Sequence, residues 1–374
     1  MHKSPVHDFH VKHGGHMVEY AGWEMPIRFR SIRDEHEQTR RSGSVFDVSH
    51  MGRIEIKGLH AKRLLERACS RRIGTMQPGQ CRYTLICNER GGVRDDAVVM
   101  RMDDDEFLMV CNGANREKIG GHLASVAGEH PDWRVKLEDK TLKTAMVAIQ
   151  GPKVMDLVST VSKEIPTLKR WRFTVKNLMI IKLIVSRTGY TGEDGVEVIL
   201  PASAVGMAMR LLMQDVDPDD PNAVLKPAGL ASRDTLRLEA GMPLYGHELD
   251  EETSALACGM GFAINLDKNA DQDGEMFIGQ DALVKEQEAG GPPVRLVGLE
   301  LDTKRTARQG MPVLAGDSGV GAITSGCMSP TLGKSIAMAY VKPEQAAPGT
   351  ALVVDLEREK APAQVVPLPF YKLA

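Results

Sequence analysis

Two adjacent acids open a short apolar segment in the first third of the chain. The segment Gly91–Val99 reads GGVRDDAVV, so two glycines precede a predicted strand that carries Asp95 and Asp96. Side chains alternate between the two faces of a strand, which places Asp95 and Asp96 on opposite faces. At least one carboxylate should therefore face protein rather than water. Such a carboxylate is either satisfied by hydrogen bonds or used in chemistry, where it accepts a proton or holds a cationic nitrogen.

A third acid and an arginine are further candidates for chemistry. Glu197 lies in the apolar segment GVEVIL, where it shares a face with Ile199; the alternative is a carboxylate on an edge strand that faces water. Arg233 lies with Arg237 and Glu239 on a predicted helix in LASRDTLRLEAG. Arginine binds carboxylates through two parallel hydrogen bonds, so Arg233 suits an anionic ligand. The alternative for this arginine is an intramolecular salt bridge.

Other kinds of site find no support in the sequence. The chain has no GxxxxGK[ST] segment and no GxGxxG at a strand–helix junction, so a nucleotide phosphate site is not expected. Histidines crowd the N-terminus but lack the spacing of HExxH or a thiolate partner, so no metal is expected. The 6 cysteines form no CxxC pair and are expected to be reduced, buried thiols of an intracellular protein.

Length and charge restrict the class of protein. A chain of 374 residues should form two or three domains. A net charge of −3 gives no reason to expect a nucleic-acid partner. No apolar run is long enough to span a membrane, and the N-terminus lacks the features of a signal or transit peptide. We expect a cytoplasmic protein, or a mitochondrial-matrix protein only if a transit peptide is missing from this chain.

The predicted elements give an α+β class and indicate what positions the candidate residues. Short strands alternate with short helices without a regular βαβ rhythm. A strand pair, Leu178–Val185 and Val196–Leu200, is joined by the turn SRTGYTGEDG and carries Glu197. The helix predicted over Ala231–Ala240 carries Arg233. After the polar, turn-rich segment 267–293, which reads as a linker, short strands with Gly and Pro turns predict a small β-barrel or sandwich.

Seven segments, in this order along the chain, resemble the aminomethyltransferase family, the T-proteins of the glycine cleavage system. They read DFHVKHGGHMVEYAGWEMP, FDVSHMG, GGVRDDAVV, AIQGP, SRTGYTGEDGVEV, PAGLASRDTLRLEAGMPLYG and ITSGCMSPTLGKSIAMAYV. The resemblance extends from about Ser4 to the final PFY, which is nearly the whole chain. Seven ordered motifs are much more specific than any one of them.

The resemblance implies both a fold and a reaction. The fold would be a three-domain, cloverleaf-like α+β arrangement around a central folate site. Residues 1–266 would form the folate-binding region of two intertwined α+β domains, 267–293 the linker and 294–374 a C-terminal β-barrel. The enzyme would transfer the one-carbon unit of an aminomethyl group from the dihydrolipoyl arm of H-protein to the co-substrate tetrahydrofolate. Ammonia and 5,10-methylenetetrahydrofolate would be released.

The resemblance also implies roles for particular residues. Asp96 would be the catalytic acid beside the reacting nitrogens of the folate, with Asp95 as its structural partner. Glu197 would bind the pterin ring, Arg233 would bind the folate, and Tyr371 would be a C-terminal substrate contact. Further residues match positions that line the same cavity: Tyr83, Asn112 and Tyr190.

The sequence leaves two other functions open. One is a folate-dependent demethylase of the same superfamily, which would share the folate pocket but need no H-protein. The other is a non-catalytic folate-binding protein, which the retention of both Asp96 and Glu197 disfavours. The partners implied by the favoured function are lipoylated H-protein and the folate, with no nucleic acid, membrane or metal.

Overall fold

The structure, a computed structural model, describes residues 1–178, 181–213, 220, 222–271 and 274–373. The chain divides into two compact units, each made of separate stretches of sequence. The first unit comprises residues 1–62, 75–82 and 98–234, and the second comprises residues 63–74, 83–97 and 235–374.

Short helices alternate with strands along the described part of the chain. The α-helices are α1 His7–Lys12, α2 Ile32–Arg41, α3 Ala61–Ala68, α4 Arg116–Gly128, α5 Val154–Val161, α6 Ala202–Leu212, α7 Leu230–Glu239 and α8 Gln280–Glu288. Single 3-10 turns occur at Gly113–Asn115, Thr141–Lys143, Ile165–Thr167, Gly261–Ala263, Lys268–Ala270 and Pro343–Gln345. Among the described residues, no helix combines the length and the apolar character needed to cross a bilayer.

Two sheets belong to the first unit. A small sheet has the order β1-β3-β2 and is built from β1 His2–Lys3, β2 His16–Tyr20 and β3 Trp23–Arg28. The main sheet uses β4 Ser44–Asp47, β10 Thr144–Gln150, β11 Phe173–Leu178, β12 Ile181–Ser186, β13 Gly195–Pro201 and β14 Lys226–Ala228. Its order is β11-β12-β13-β10-β4-β14. Strand β13 therefore lies in the interior of the sheet, paired on both sides.

A five-stranded sheet has the order β6-β7-β8-β5-β9. Its strands are β5 Gly52–Lys57, β6 Cys81–Cys87, β7 Val93–Asp103, β8 Glu106–Cys111 and β9 Lys136–Asp139. The division between the two units falls within β6 and β7, so Tyr83 and Asp96 belong to the second unit.

The second unit ends in a closed six-stranded barrel. The strands are β15 Arg295–Leu301, β16 Pro312–Ala315, β17 Ser318–Met328, β18 Ser335–Val341, β19 Ala351–Asp355 and β20 Lys360–Val366. They close in the order β15-β18-β17-β16-β19-β20. Alternate side chains fill the interior, including the buried Leu299, Val313, Ala339 and Val354. The predictions of an α+β class and of a C-terminal β-barrel are both confirmed.

Two local predictions differ from the structure. The strand predicted over Leu178–Val185 is in fact the end of β11 and most of β12, and residues 179–180 lie outside the described residues. The predicted linker 267–293 contains well-packed residues: Phe277 and Leu283 belong to a hydrophobic core of the second unit, and the Lys268 ammonium is buried against Glu66. The domain boundaries stay a prediction.

Candidate functional site

The acid pair lies on β7, where alternation separates the two carboxylates. Asp95 is 0% exposed and lies on the same face as the buried Val93 and Val99. Asp96 points to the other face and is half-buried. The expectation that one of the two carboxylates faces protein is confirmed, and the buried one is Asp95. Asp96 is therefore the more accessible of the two carboxylates.

Asp96 is oriented by a neighbouring tyrosine in the second unit. The hydroxyl of Tyr83 on β6 donates a hydrogen bond to Oδ2 of Asp96, with 3.1 Å between the oxygens. The ring of Phe262, which is 57% exposed, lies 6.0 Å from the ring of Tyr83, centroid to centroid. The guanidinium of Arg71 lies 5.8 Å from the centroid of the same Phe262 ring. This arrangement holds a carboxylate that can accept a proton beside an accessible aromatic surface.

Tyr371 is anchored through its main chain. Its backbone N–H donates to the carbonyl oxygen of Glu239 at 2.8 Å. The Glu239 carboxylate in turn accepts from Ser329 and Thr331, which ties the end of the chain to the barrel within the second unit. The half-buried Tyr371 side chain therefore starts from a fixed backbone position.

Glu197 lies on β13 in the first unit. Because β13 is paired with both β10 and β12, the alternative of an edge-strand carboxylate facing water is wrong. Thr188 Oγ1 donates to Oε2 of Glu197 at 2.5 Å, and Ser186 Oγ lies 2.7 Å from Thr188 Oγ1. Within the described part of the chain, Oε1 of Glu197 accepts no hydrogen bond. Oε2 of Glu197 is thus fixed by a hydrogen bond, and Oε1 is available to a ligand.

Arg233 on α7 carries a positive charge that its surroundings leave incompletely satisfied. Its guanidinium stacks over the Tyr190 ring, 4.8 Å from the centroid, and Nη1 is buried without a hydrogen-bond partner among the described residues. Burial lowers the pKa of Arg233, and the nearby charges of Glu197, Tyr190 and Tyr20 oppose that shift. The intramolecular salt bridge considered for Arg233 does not form within the described residues.

Arg237 on the same helix behaves differently. Its guanidinium donates to Glu248 at 2.9 Å and to Ser325 Oγ at 2.8 Å within the second unit. Arg237 is therefore a structural arginine with a buried counter-ion. A buried arginine without such a partner is expensive, unless a ligand supplies the acceptor.

The side chain of Gln150 stabilises the turn that carries Thr188 and Tyr190 through hydrogen bonds. The amide nitrogen of Gln150 donates to the carbonyl oxygen of Thr188 at 3.2 Å, and its oxygen accepts from Thr191 Oγ1 at 3.1 Å. A Cβ at Gly189 would lie 1.9 Å from that amide oxygen, so a larger residue there would displace the Gln150 side chain. Arg40 adds a hydrogen bond to the carbonyl oxygen of Thr191 at 2.7 Å.

Asn112 lies at the end of β8, next to a buried histidine. The following residue, Gly113, lies against His50, whose Cδ2 atom would be 3.0 Å from a Cβ at that position. His50 is 5% exposed, and its ring meets that of Tyr20 edge to face at 5.3 Å between centroids. Burial lowers the pKa of His50 to about 4, assisted by the charges of Arg233 and Arg53 and opposed by Asp47. His50 is therefore neutral at physiological pH.

Sequence reasoning missed part of this environment. His50 was not singled out from the sequence as a site residue, and its buried Nδ1 has no hydrogen-bond partner among the described residues. Gln150, Thr188 and Tyr20 lie within motifs that resemble the family, but their contacts join strands far apart in sequence. No periodicity of the chain could have assigned those contacts.

The described side chains offer a ligand three kinds of contact. In the first unit, Glu197 offers a hydrogen-bond acceptor, Arg233 a cation and Tyr190 an aromatic face. In the second unit, Asp96 offers an oriented carboxylate. No group of three or more His, Cys, Asp or Glu side chains within the described ranges could hold a metal ion. All 6 cysteines are buried free thiols, and burial raises the pKa of Cys258 to about 11, so that thiol is protonated.

Comparison with known proteins places this chain in a family. A family model described as the GCVT N-terminal domain matches residues 6–268, and one described as the glycine cleavage T-protein C-terminal barrel domain matches residues 295–372. An aminomethyltransferase of Rubrobacter xylanophilus is 43% identical over 373 residues, which are 99% of this chain and 94% of that protein. One from Geobacillus thermodenitrificans is 39% identical over 375 residues, which are 100% of this chain and 99% of that protein.

A solved structure agrees with the sequence relatives. The crystal structure of glycine cleavage system aminomethyltransferase T from Bartonella henselae matches with a TM-score of 0.89 and 27% identity, over 99% of this chain and 98% of that chain. The family models together span most of the chain, and the relatives match over nearly their full length. The chain therefore belongs to the aminomethyltransferase family, the T-proteins of the glycine cleavage system.

Proposed function

We propose that this aminomethyltransferase uses tetrahydrofolate as the acceptor and the lipoylated H-protein of the glycine cleavage system as the donor. The carbon of an aminomethyl group moves from a dihydrolipoyl sulfur to two nitrogens of tetrahydrofolate. One of the two N–H protons of the folate ends on the sulfur and the other on the departing ammonia. The products are 5,10-methylenetetrahydrofolate, ammonia and reduced H-protein, so atoms and charge balance without an added oxidant or metal.

The observation that carries this proposal is the unsatisfied charge of Arg233. A buried guanidinium with a free Nη1 suits a ligand that brings a carbonyl or carboxylate oxygen, and tetrahydrofolate has both. The stacked Tyr190 ring offers a surface for a planar group. Glu197 Oε1 suits the N–H edge of a pterin ring, which carries an amino group beside a ring N–H. We propose Asn112 as a further contact of the same ligand.

Asp96 is the proposed catalytic residue. The attacking nitrogens of the folate must lose their protons as positive charge develops on the transferred carbon. A fixed carboxylate favours both changes, because it can accept a proton and stabilise a nearby cation. The hydrogen bond from Tyr83 supports this role, since it holds the carboxylate of Asp96 in a defined orientation. Tyr371 is proposed as an additional substrate contact.

The test is a direct assay of the complete reaction. The protein is mixed with tetrahydrofolate and H-protein whose dihydrolipoyl arm carries the aminomethyl group, and ammonia and methylenetetrahydrofolate are both measured. We expect equal amounts of the two products, and none when either substrate is omitted. Binding of tetrahydrofolate without any product would contradict the proposal. Activity on a methylated amine in place of H-protein would instead indicate a demethylase.

A further inference from the structure

Glu35 is a buried carboxylate that the proposed reaction does not use. It lies on α2, is 3% exposed, and accepts hydrogen bonds from four donors. No cationic side chain pairs with it in the described part of the first unit. Burying an unpaired carboxylate is costly, and several hydrogen bonds are needed to offset that cost. Three of the four donors to Glu35 are backbone N–H groups, so this carboxylate holds main-chain segments in place.

The two oxygens of Glu35 bind two different segments. Oε1 accepts from the backbone N–H groups of Phe29 at 2.6 Å and Arg30 at 2.8 Å, directly after β3 ends. Oε2 accepts from the backbone N–H of Gly229 at 2.8 Å and from Ser232 Oγ at 3.1 Å, at the start of α7. Glu35 therefore joins the end of β3 to the first turn of α7.

The approach of these two segments is unusually close. A Cβ at Gly229 would lie 2.4 Å from both the carbonyl carbon and the carbonyl oxygen of Ile27 on β3. Only glycine permits this contact, and no bulky side chain spaces the two segments. The carboxylate of Glu35 is also favourably placed, because the first turn of a helix presents unsatisfied N–H groups.

The same turn carries Arg233. The backbone N–H of Arg233 donates to the carbonyl oxygen of Gly229 at 3.2 Å, and Ser232 Oγ also donates to that oxygen at 2.9 Å. Glu35 thus binds the N–H of Gly229, and the carbonyl oxygen of the same Gly229 binds the N–H of Arg233. A shift of this turn would move the guanidinium relative to Tyr190 and Glu197.

We infer that Glu35 is the positioning residue for Arg233. Glu35 fixes Gly229 and Ser232 against the end of β3. It thereby determines the position of the Arg233 guanidinium that binds the folate. This inference rests on the proposed function of Arg233 as a folate-binding group. Glu35 itself does not touch the substrate.

The decisive variant is Glu35→Gln, which keeps the shape of the side chain. Its amide nitrogen is a donor, so it must face either the two N–H groups after β3 or the N–H of Gly229, and at least one hydrogen bond from a backbone N–H is lost. We expect the dissociation constant of tetrahydrofolate, measured by calorimetric titration, to rise about tenfold. The kcat at saturating tetrahydrofolate should change by less than about twofold, because Asp96 is untouched.

A double-mutant cycle separates positioning from general loss of structure. In an Arg233→Ala background, Glu35→Gln should weaken tetrahydrofolate binding by less than about twofold further, because the group that it positions is gone. The matched control is Glu66→Gln in the second unit. Glu66 is also buried and accepts from a backbone N–H, that of Ile73 at 2.7 Å, so its loss should reduce stability and leave the dissociation constant unchanged.

Each outcome decides the question. An equal loss of affinity in both backgrounds, or no loss from Glu35→Gln, would overturn the inference. An Arg233→Ala protein that binds tetrahydrofolate normally would overturn both the proposed role of Arg233 and this inference. If Glu35→Gln does not fold, Ser232→Ala removes a single donor to Glu35, and the dissociation constant should then rise about threefold. An unchanged dissociation constant in that variant would also overturn the inference.

Discussion

The hydroxyl of Tyr83 donates to Oδ2 of Asp96 at 3.1 Å, so a side-chain donor orients the more accessible of two adjacent acids. Its neighbour Asp95 is fully buried. The two carboxylates of one short strand thus have different surroundings, and alternation along β7 is the cause. This difference is why the proposed chemistry is assigned to Asp96 and a structural role to Asp95.

Removing the hydroxyl of Tyr83 should reduce catalysis more than binding. We expect Tyr83→Phe to lower kcat about tenfold, since the loss of one hydrogen bond to a charged group costs about 1.5 kcal/mol. The KM for tetrahydrofolate should change little. The control is Tyr340→Phe, which removes a hydroxyl that donates to the carbonyl oxygen of Glu248 at 2.7 Å. Steady-state kinetics of both variants would check this, and an equal fall in kcat for both would contradict it.

The hydroxyl of Thr188 should matter for folate affinity because it fixes Glu197. We expect Thr188→Val, which keeps the shape and loses the donor, to raise the dissociation constant of tetrahydrofolate about fivefold. Thr188→Ser keeps a hydroxyl and should bind nearly as well as the unmodified protein. Calorimetric titration distinguishes the two variants. If valine and serine weaken binding equally, the hydrogen bond to Glu197 is not what matters.

His50 should make stability depend on pH. Its pKa in the folded protein is about 4, below the value of about 6.5 in an unfolded chain. The stability that depends on neutral His50 is therefore fully present above about pH 6.5 and is lost as the pH falls towards 4. The loss attributable to this residue is about 3 kcal/mol in the free energy of unfolding.

The matched variant for this prediction is His50→Gln, which cannot titrate. Urea unfolding is measured for both proteins between about pH 7.5 and pH 4. We expect the unmodified protein to lose about 3 kcal/mol more than the variant over that range. Parallel pH curves for the two proteins would show that His50 has an ordinary pKa in the folded state.

The sequence predicts well the features that local pattern determines. The alternation in GGVRDDAVV correctly places the carboxylates of Asp95 and Asp96 on opposite faces. The short strands predicted after the segment 267–293 form the barrel, in which β15 and β18 pair from Arg295 opposite Val341 to Leu301 opposite Ser335. These segments have clear turn residues at their ends and apolar runs between them, which is the information that a single sequence carries.

The features that depend on long-range contacts could not be predicted in the same way. GVEVIL contains nothing to say whether Glu197 lies on an edge or in the interior, because the neighbours of β13 are set by strand pairing across the sheet. Arg233 and Arg237 look equivalent on one helix, and only the distant Glu248 makes Arg237 a structural arginine. Glu35 binds Gly229 across 194 positions of the chain. The roles of the predicted site residues in the reaction stay predictions.

The most direct measurement of the central claim is the transfer assay with Asp96→Asn. Ammonia and methylenetetrahydrofolate are measured from loaded H-protein and tetrahydrofolate, beside a calorimetric titration of the same protein with tetrahydrofolate. If Asp96 accepts a proton or stabilises charge at the reacting nitrogens, product formation should fall by a factor of about 10²–10⁴, with nearly unchanged folate affinity. Turnover by Asp96→Asn at the rate of the unmodified protein would contradict the account and leave both acids of GGVRDDAVV with structural roles.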